Sequence, residues 1–193
     1  MQDIKEHIAA TPRAHRTVRG WSLDRAARET GVSKAMLGQI ERCESSPTVA
    51  TLWKIASGFH VSFSHFIDTA GGPSEADAGT LWRDSVAEVF DEPVSGMRVV
   101  SLFPYDSRLA FEMFLIDLAP GACSESAPHE TGVVEHVIVI EGEMELCLGG
   151  QWHRLEPGEG VRFAADHPHG YRNRGRTPAR FHDLIHYPRH RHG

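Results

Sequence analysis

The sequence predicts a two-part α+β chain: an all-α N-terminal domain of five short helices, then an all-β C-terminal domain built as a barrel or jelly roll. Three observations carry this. Up to residue 68 apolar residues recur at helical spacing. Beyond residue 80 the apolar runs are short, rich in β-branched residues and separated by turn residues. Between them TAGGPSEADAG, residues 69–79, has no large apolar side chain to contribute to a core and reads as a linker. The expected domains are therefore 1–68 and 80–193.

In order along the chain, Asp3 to Ala10 has the composition of a short helix. Thr11-Pro12 reads as an N-cap followed by proline at the first helical position, which places helix one at Pro12 to Arg19. Ser22 to Pro47 is the central stretch, two amphipathic helices joined by a tight turn. Leu23, Ala26 and Ala27 fall on one face of the first, and Met36, Leu37 and Ile40 on one face of the second. Gly31 supplies the positive φ that closes the first helix, Val32 plugs the core, and Ser33 caps the second. Pro47-Thr48 opens a further helix with Val49, Leu52, Ile55 and Ala56 on one face, and Phe63, Phe66 and Ile67 close the core from a last short helix.

The second part holds LAFEMFLIDLAPG, VEHVIVIEG, MELCLGGQWHRLEPGEG, VRFAA and ARFHDLIHYP as successive strand segments. Gly149-Gly150 fits a tight hairpin between two of them. The regular succession points to a closed or two-sheet architecture.

The net charge of −6 is unevenly placed, +2 over residues 1–68 and −8 over the remainder. The acidic second part would be repelled by phosphate, so any nucleic-acid surface belongs to the first. No apolar run reaches the ~18 residues of a membrane span, and the N-terminus lacks the pattern of a signal peptide, so a cytoplasmic protein is expected. Three cysteines without CxxC spacing indicate neither a disulfide framework nor a cysteine zinc site, and buried or inert thiols are expected.

Residue types and spacing from about residue 8 to 68 resemble the Cro/C1 (XRE) family of helix-turn-helix DNA-binding domains. The resemblance implies that Ser33 to Arg42 is the recognition helix and that its partner is a double-stranded DNA operator. Lys34, Ala35 and Gln39 take the base-reading positions, with chemistry suited to guanine, a thymine methyl and adenine respectively. Ser22, Ser33, Arg42 and Ser46 suit phosphate contacts. The family usually has glycine where this chain has Cys43, which places a Cβ in a left-handed cap at a cost on the order of 1 kcal/mol. The competing reading is a helical hairpin that merely packs in a bundle.

Within the β part, PGACSESAPHETGVVEHVIVIEG and PGEGVRFAADHPHGYRN resemble the paired motifs of the cupin superfamily. Gly121, His129, Glu135 and Gly142 match the first motif, with Thr131 in place of its second histidine; His169 and Asn173 match the second, with Ala164 and Asp166 in place of its usual proline and glycine. The resemblance implies that His129, Glu135 and His169 converge as two imidazoles and a carboxylate with an open position, a set suited to a divalent ion such as Zn²⁺ or Fe²⁺. Glu130 or His182 are the candidates to complete it. The alternative is that His129 and Glu135 are polar groups at a barrel mouth and His169 stabilises a turn. Strand alternation sends His136 to the opposite face, and His153, His167, His186, His190 and His192 read as surface or packing residues.

Chains with an XRE head and a cupin tail are bacterial regulators, which implies a non-enzymatic transcriptional regulator. One head offers few base contacts, so a homodimer is expected, joined through its apolar β domain. Its cupin would sense a small-molecule effector of the amino-acid, sulfur-compound or polyamine class. The competing reading is a metal-dependent cupin enzyme of oxygenase or isomerase type with the helical domain as an anchor. Intact DNA-reading positions beside a depleted ligand set favour the regulator. With a flexible linker, coupling between sensor and head is expected through dimer geometry.

Overall fold

The computed structural model describes residues 4–69, 89–92 and 95–188, so most of the expected linker lies outside the described residues. The first part is helical: α1 (Ile4–Val18), α2 (Leu23–Thr30), α3 (Lys34–Glu41), α4 (Val49–Phe59) and α5 (Ser64–Ile67). The expected break at Pro12 is absent, and α1 runs through it as one helix with Pro12 inside. Proline removes a main-chain donor there, but Ile8, Ala9, Thr11 and Pro12 are all buried, and Thr11 Oγ1 donates to His7 O at 2.8 Å. Packing of that face outweighs the local preference for a break. Arg16 then ties α1 to α3 through two parallel bonds to Glu41, both 2.7 Å, and donates to Trp21 O at 3.0 Å.

The local signals of the central motif act as expected. Ser22 accepts from Arg25 N and Ser33 from Met36 N, each at 3.2 Å, and Gly31 adopts φ 66°. Ala26, Val32, Leu37 and Ile40 enter the core. Met36 does not: it is exposed on the flank of α3, and Ser45 Oγ donates to its sulfur at 3.8 Å. Gly58 lets α4 cross α2 at close range, since a Cβ there would lie 2.6 Å from Thr30 Cα. Cys43 holds φ 57°, the left-handed position where glycine is the usual occupant.

The second part comprises ten strands: β1 (Val89–Glu92), β2 (Met97–Asp106), β3 (Phe111–Leu118), β4 (Cys123–Ser126), β5 (Val134–Glu141), β6 (Met144–Leu148), β7 (Gln151–Leu155), β8 (Gly160–Ala164), β9 (His169–Arg172) and β10 (Ala179–His186). They form a six-stranded sheet in the order β1-β2-β3-β10-β5-β8 and a four-stranded sheet in the order β4-β9-β6-β7, with antiparallel pairing throughout. Non-sequential neighbours in two facing sheets are the jelly-roll arrangement. Gly149 and Gly150, both with positive φ, turn β6 into β7 as a two-residue hairpin. Alternation on β3, β5 and β10 sends Phe114, Ile116, Val137, Val139, Phe181 and Ile185 inward.

Cys43 and Cys123 are exposed and Cys147 is half-buried, so the three free thiols are less sheltered than expected.

The head rests directly on the barrel. Phe63 N and Ser64 N donate to the Glu112 carboxylate on β3 at 3.0 and 2.8 Å, and Tyr105 N donates to Ser64 Oγ at 3.0 Å. Phe63 meets Phe114 edge-on at 5.5 Å between ring centroids. The two parts are thus joined by direct contact, while residues 70–88, including most of the expected linker, lie outside the described residues.

Candidate DNA-reading face and metal centre

Ser33 at the N-cap of α3 and Lys34, Ala35 and Gln39 within it are exposed on the surface, with Ser22, Arg42 and Ser46 also exposed around them. The reason is helical geometry: with Leu37 and Ile40 committed to the core, positions 34, 35 and 39 fall on the outer face of α3. Lys34 Nζ lies 2.8 Å from Asp24 Oδ2, and Arg42 is forked onto Glu44 at 2.8 and 2.7 Å. The bond from Lys34 holds the Asp24 carboxyl below its usual range, and that from Arg42 does the same for Glu44. All four side chains are exposed, and exposed pairs of this kind are worth little, so a phosphate can take either cation. Ser22 and Ser33 spend their hydroxyl oxygens on helix capping, which leaves the O–H as the group a phosphate would accept.

The second site lies inside the barrel. His129 follows β4, Glu135 is the second residue of β5 and His169 opens β9, so three separate segments bring their side chains together. Their ligand atoms lie within 4.8 Å of one another. His129 Nε2 is 2.7 Å and His169 Nε2 3.5 Å from the same oxygen, Glu135 Oε1, and all three side chains are at most 3 % exposed. Tyr171 OH donates to the other carboxylate oxygen. His169 Nδ1 faces the carbonyl of His167 at 2.9 Å and must donate to it, so Nε2 carries the lone pair. Burial lowers the His169 pKa, which keeps the imidazole in the neutral, ligating form. Burial alone would raise the Glu135 carboxyl; the His129 hydrogen bond, both imidazoles and Tyr171 outweigh it and hold it below its usual range.

Two buried polar atoms here have no hydrogen-bond partner, His169 Nε2 and His129 Nδ1. A buried, fixed lone pair aimed at a carboxylate oxygen is costly unless an ion sits between them, and two imidazoles with a carboxylate are the donor set for such an ion. The group is able to hold a metal. Neither proposed fourth donor joins it among the described residues. Glu130 turns to the head, with Oε1 3.5 Å from His60 Nδ1, and His182 alternates to the side of β10 opposite the buried Asp183. Asn173 is structural: its amide donates to Leu118 O and Thr177 O and accepts from Gly175 N. His153, His167 and His186 are exposed, while His190 and His192 lie outside the described residues.

Sequence reasoning missed four residues at this site. Glu112 and Asp183 are buried carboxylates on the inward faces of β3 and β10, and Tyr171 donates to Glu135. Both acids sit at inward positions of alternating strands, Glu112 in line with Phe114 and Ile116 on β3 and Asp183 between Phe181 and Ile185 on β10, which was a readable signal. Burial and the charges of Glu135 and Glu112 push Asp183 well above the usual carboxylate range. The fourth is Trp53, from α4, whose ring stacks on His129 at 4.1 Å between centroids.

A helix-turn-helix family model matches residues 13–66 and a cupin-domain family model residues 114–185. Over 189 residues the chain is 53 % identical to the HTH-type transcriptional regulator SutR of Escherichia coli K12, covering 98 % of this chain and 99 % of that protein. It is 28 % identical over 160 residues to the HTH-type transcriptional regulator PuuR of the same organism, covering 82 % and 83 %. A crystal structure of an HTH_3 family transcriptional regulator from Vibrio cholerae superposes with a TM-score of 0.79 at 43 % identity, over 96 % of this chain and 98 % of that one. With a helix-turn-helix whose α3 is exposed on its outer face, a cupin barrel and likeness over nearly its whole length, the chain belongs to the HTH-type transcriptional regulators that join a helix-turn-helix domain to a cupin domain.

Proposed function

We propose that this regulator reads a double-stranded DNA operator with Lys34, Ala35 and Gln39 of α3, positioned by phosphate contacts from Ser22, Ser33, Arg42 and Ser46. The observation that carries the reading is the outward face of α3, where three side chains with complementary base chemistry are presented together while its inner face is buried. One head offers few base contacts, so the working unit is a homodimer that reads two half-sites about 34 Å apart. The outer face of the larger sheet, with exposed Phe103, Ile138 and Ile140, is the surface for that pairing. The barrel serves as a sensor and not as an enzyme, in the cytoplasm, for a small metabolite of the amino-acid, sulfur-compound or polyamine class. A divalent ion, Zn²⁺ or Fe²⁺, at His129, Glu135 and His169 supplies a Lewis-acidic anchor for a donor atom of that metabolite.

The test is a competition for fluorescent operator DNA between wild type and Gln39→Ala. Loss confined to the cognate sequence supports the assignment, and equal loss on random DNA rejects it. Metal analysis of the purified protein, followed by a turnover assay on the loaded form, separates sensor from enzyme.

A further inference from the structure

Two contacts from the head reach the inside of the barrel, and one of them falls on a residue of the metal centre. Trp53 projects from the middle of α4, is 8 % exposed, and lies between two rings: Phe63 at 4.5 Å and 16°, and His129 at 4.1 Å and 27°. His129 in turn meets the His169 ring at 4.9 Å. The second contact is Glu112, fully buried, which accepts from Phe63 N, Ser64 N and Tyr187 OH. By register Glu112 faces Ile185 on β10, and Ile185 faces Glu135 on β5, so the latch that holds α5 and the centre's carboxylate occupy one row of the sheet.

A side chain of the DNA-binding head therefore fixes the ring plane of a metal ligand in the barrel. In this orientation His129 Nε2 faces Glu135 Oε1 at 2.7 Å, a direct hydrogen bond, so the ring plane that Trp53 fixes is the one that aims this nitrogen at the carboxylate where an ion would bind. We propose that the helix-turn-helix domain is the lid of the His129–Glu135–His169 centre, with Trp53 as the residue that couples them. Ion binding and head docking favour the same His129 orientation, so each strengthens the other by one common factor. An effector that enters past Trp53 lifts it off His129 or waits for it to leave, and either event frees α4, which packs against the α2 of the reading motif. The signal passes by direct contact and does not need the linker to act as a lever. This rests on the reading of the three donors as a metal site.

The test titrates the full-length protein with Co²⁺, whose absorption reports imidazole and carboxylate ligation, and with Zn²⁺ in competition. Trp53→Leu keeps apolar volume but removes the ring; Trp53→Phe keeps a ring. Trp53→Leu is expected to weaken ion binding by about three- to tenfold, the range an aromatic pair of this geometry is worth, and Trp53→Phe by less than about twofold. Saturating Zn²⁺ should change operator affinity of the wild type and leave that of Trp53→Leu unchanged. Circular dichroism checks that the variant is folded. Should it not fold, Glu112→Gln, which loosens α5 docking without touching an ion donor, must weaken ion binding in the same direction. Wild-type ion affinity in whichever of the two variants folds overturns the lid. A wild type that binds neither ion overturns the metal reading itself, a result distinguishable from intact binding without coupling.

Discussion

The head keeps its chemistry outside and the barrel keeps its chemistry inside. Lys34, Gln39 and Arg42 stand in solvent, and the pairs that Lys34 and Arg42 make with Asp24 and Glu44 are exposed at both ends. His129, Glu135 and His169 are buried, share one carboxylate oxygen and are held by Tyr171 and the His167 carbonyl. Exposed residues are free to specify a partner because changing them costs the fold little. Buried ones are bound up with the fold, so function and stability there move together.

The contrast can be broken most sharply at Glu135. Glu135→Leu leaves His129 Nε2 and the Tyr171 hydroxyl buried without their acceptor, and the unfolding free energy in urea is expected to fall by about 3 kcal/mol or more. An unchanged midpoint would mean that the centre is not tied into the core. The milder His129→Ala removes both an ion donor and the ring beneath Trp53, and is expected to abolish the change in operator affinity that the effector produces, measured by titrating DNA with and without it.

Asp183 gives the second test. Its pKa is raised well above the ordinary value by burial and by the neighbouring charges of Glu135 and Glu112. The folded chain therefore retains a proton that the unfolded chain releases above about pH 4, so this contribution to stability is full below that pH and is lost as pH rises toward the folded pKa. Asparagine cannot ionise. The stability of wild type minus that of Asp183→Asn should fall from pH 5 to pH 7.5, with a slope of up to about 1.4 kcal/mol per pH unit, measured by urea unfolding at each pH. A flat difference would show that the carboxyl is not held protonated.

On the head the effects move from stability to binding. Gln39→Ala should cost about 1–3 kcal/mol on cognate DNA at one base position and change the melting free energy by less than about 0.5 kcal/mol. Arg42→Ala should weaken all sequences alike and reduce the salt slope of binding by about one. The smallest change is Cys43→Gly, which relieves a Cβ at φ 57° and should stabilise the chain by up to about 1 kcal/mol, read from urea unfolding, without altering operator preference.

The sequence by itself determined what short-range physics controls. Helical spacing, the caps at Ser22 and Ser33, the left-handed Gly31 and the Gly149-Gly150 hairpin each depend on residues a few positions apart, and each is found where those residues put it. His129, Glu135 and His169 were legible through the resemblance to the paired cupin motifs; alternation agrees with it for Glu135 on β5 and His169 on β9, whereas His129 lies in the loop after β4. Tertiary packing decided the rest. It carried α1 through Pro12, because the buried face of that helix is worth more than one missing hydrogen bond. It placed Trp53 on His129 and α5 on Glu112. Those partners lie tens of residues apart and in different domains, so no local pattern encodes them. In sequence Trp53 is only one more apolar residue of an amphipathic helix; its partner is decided where the helical and β parts meet and bury the aromatic faces left at their edges.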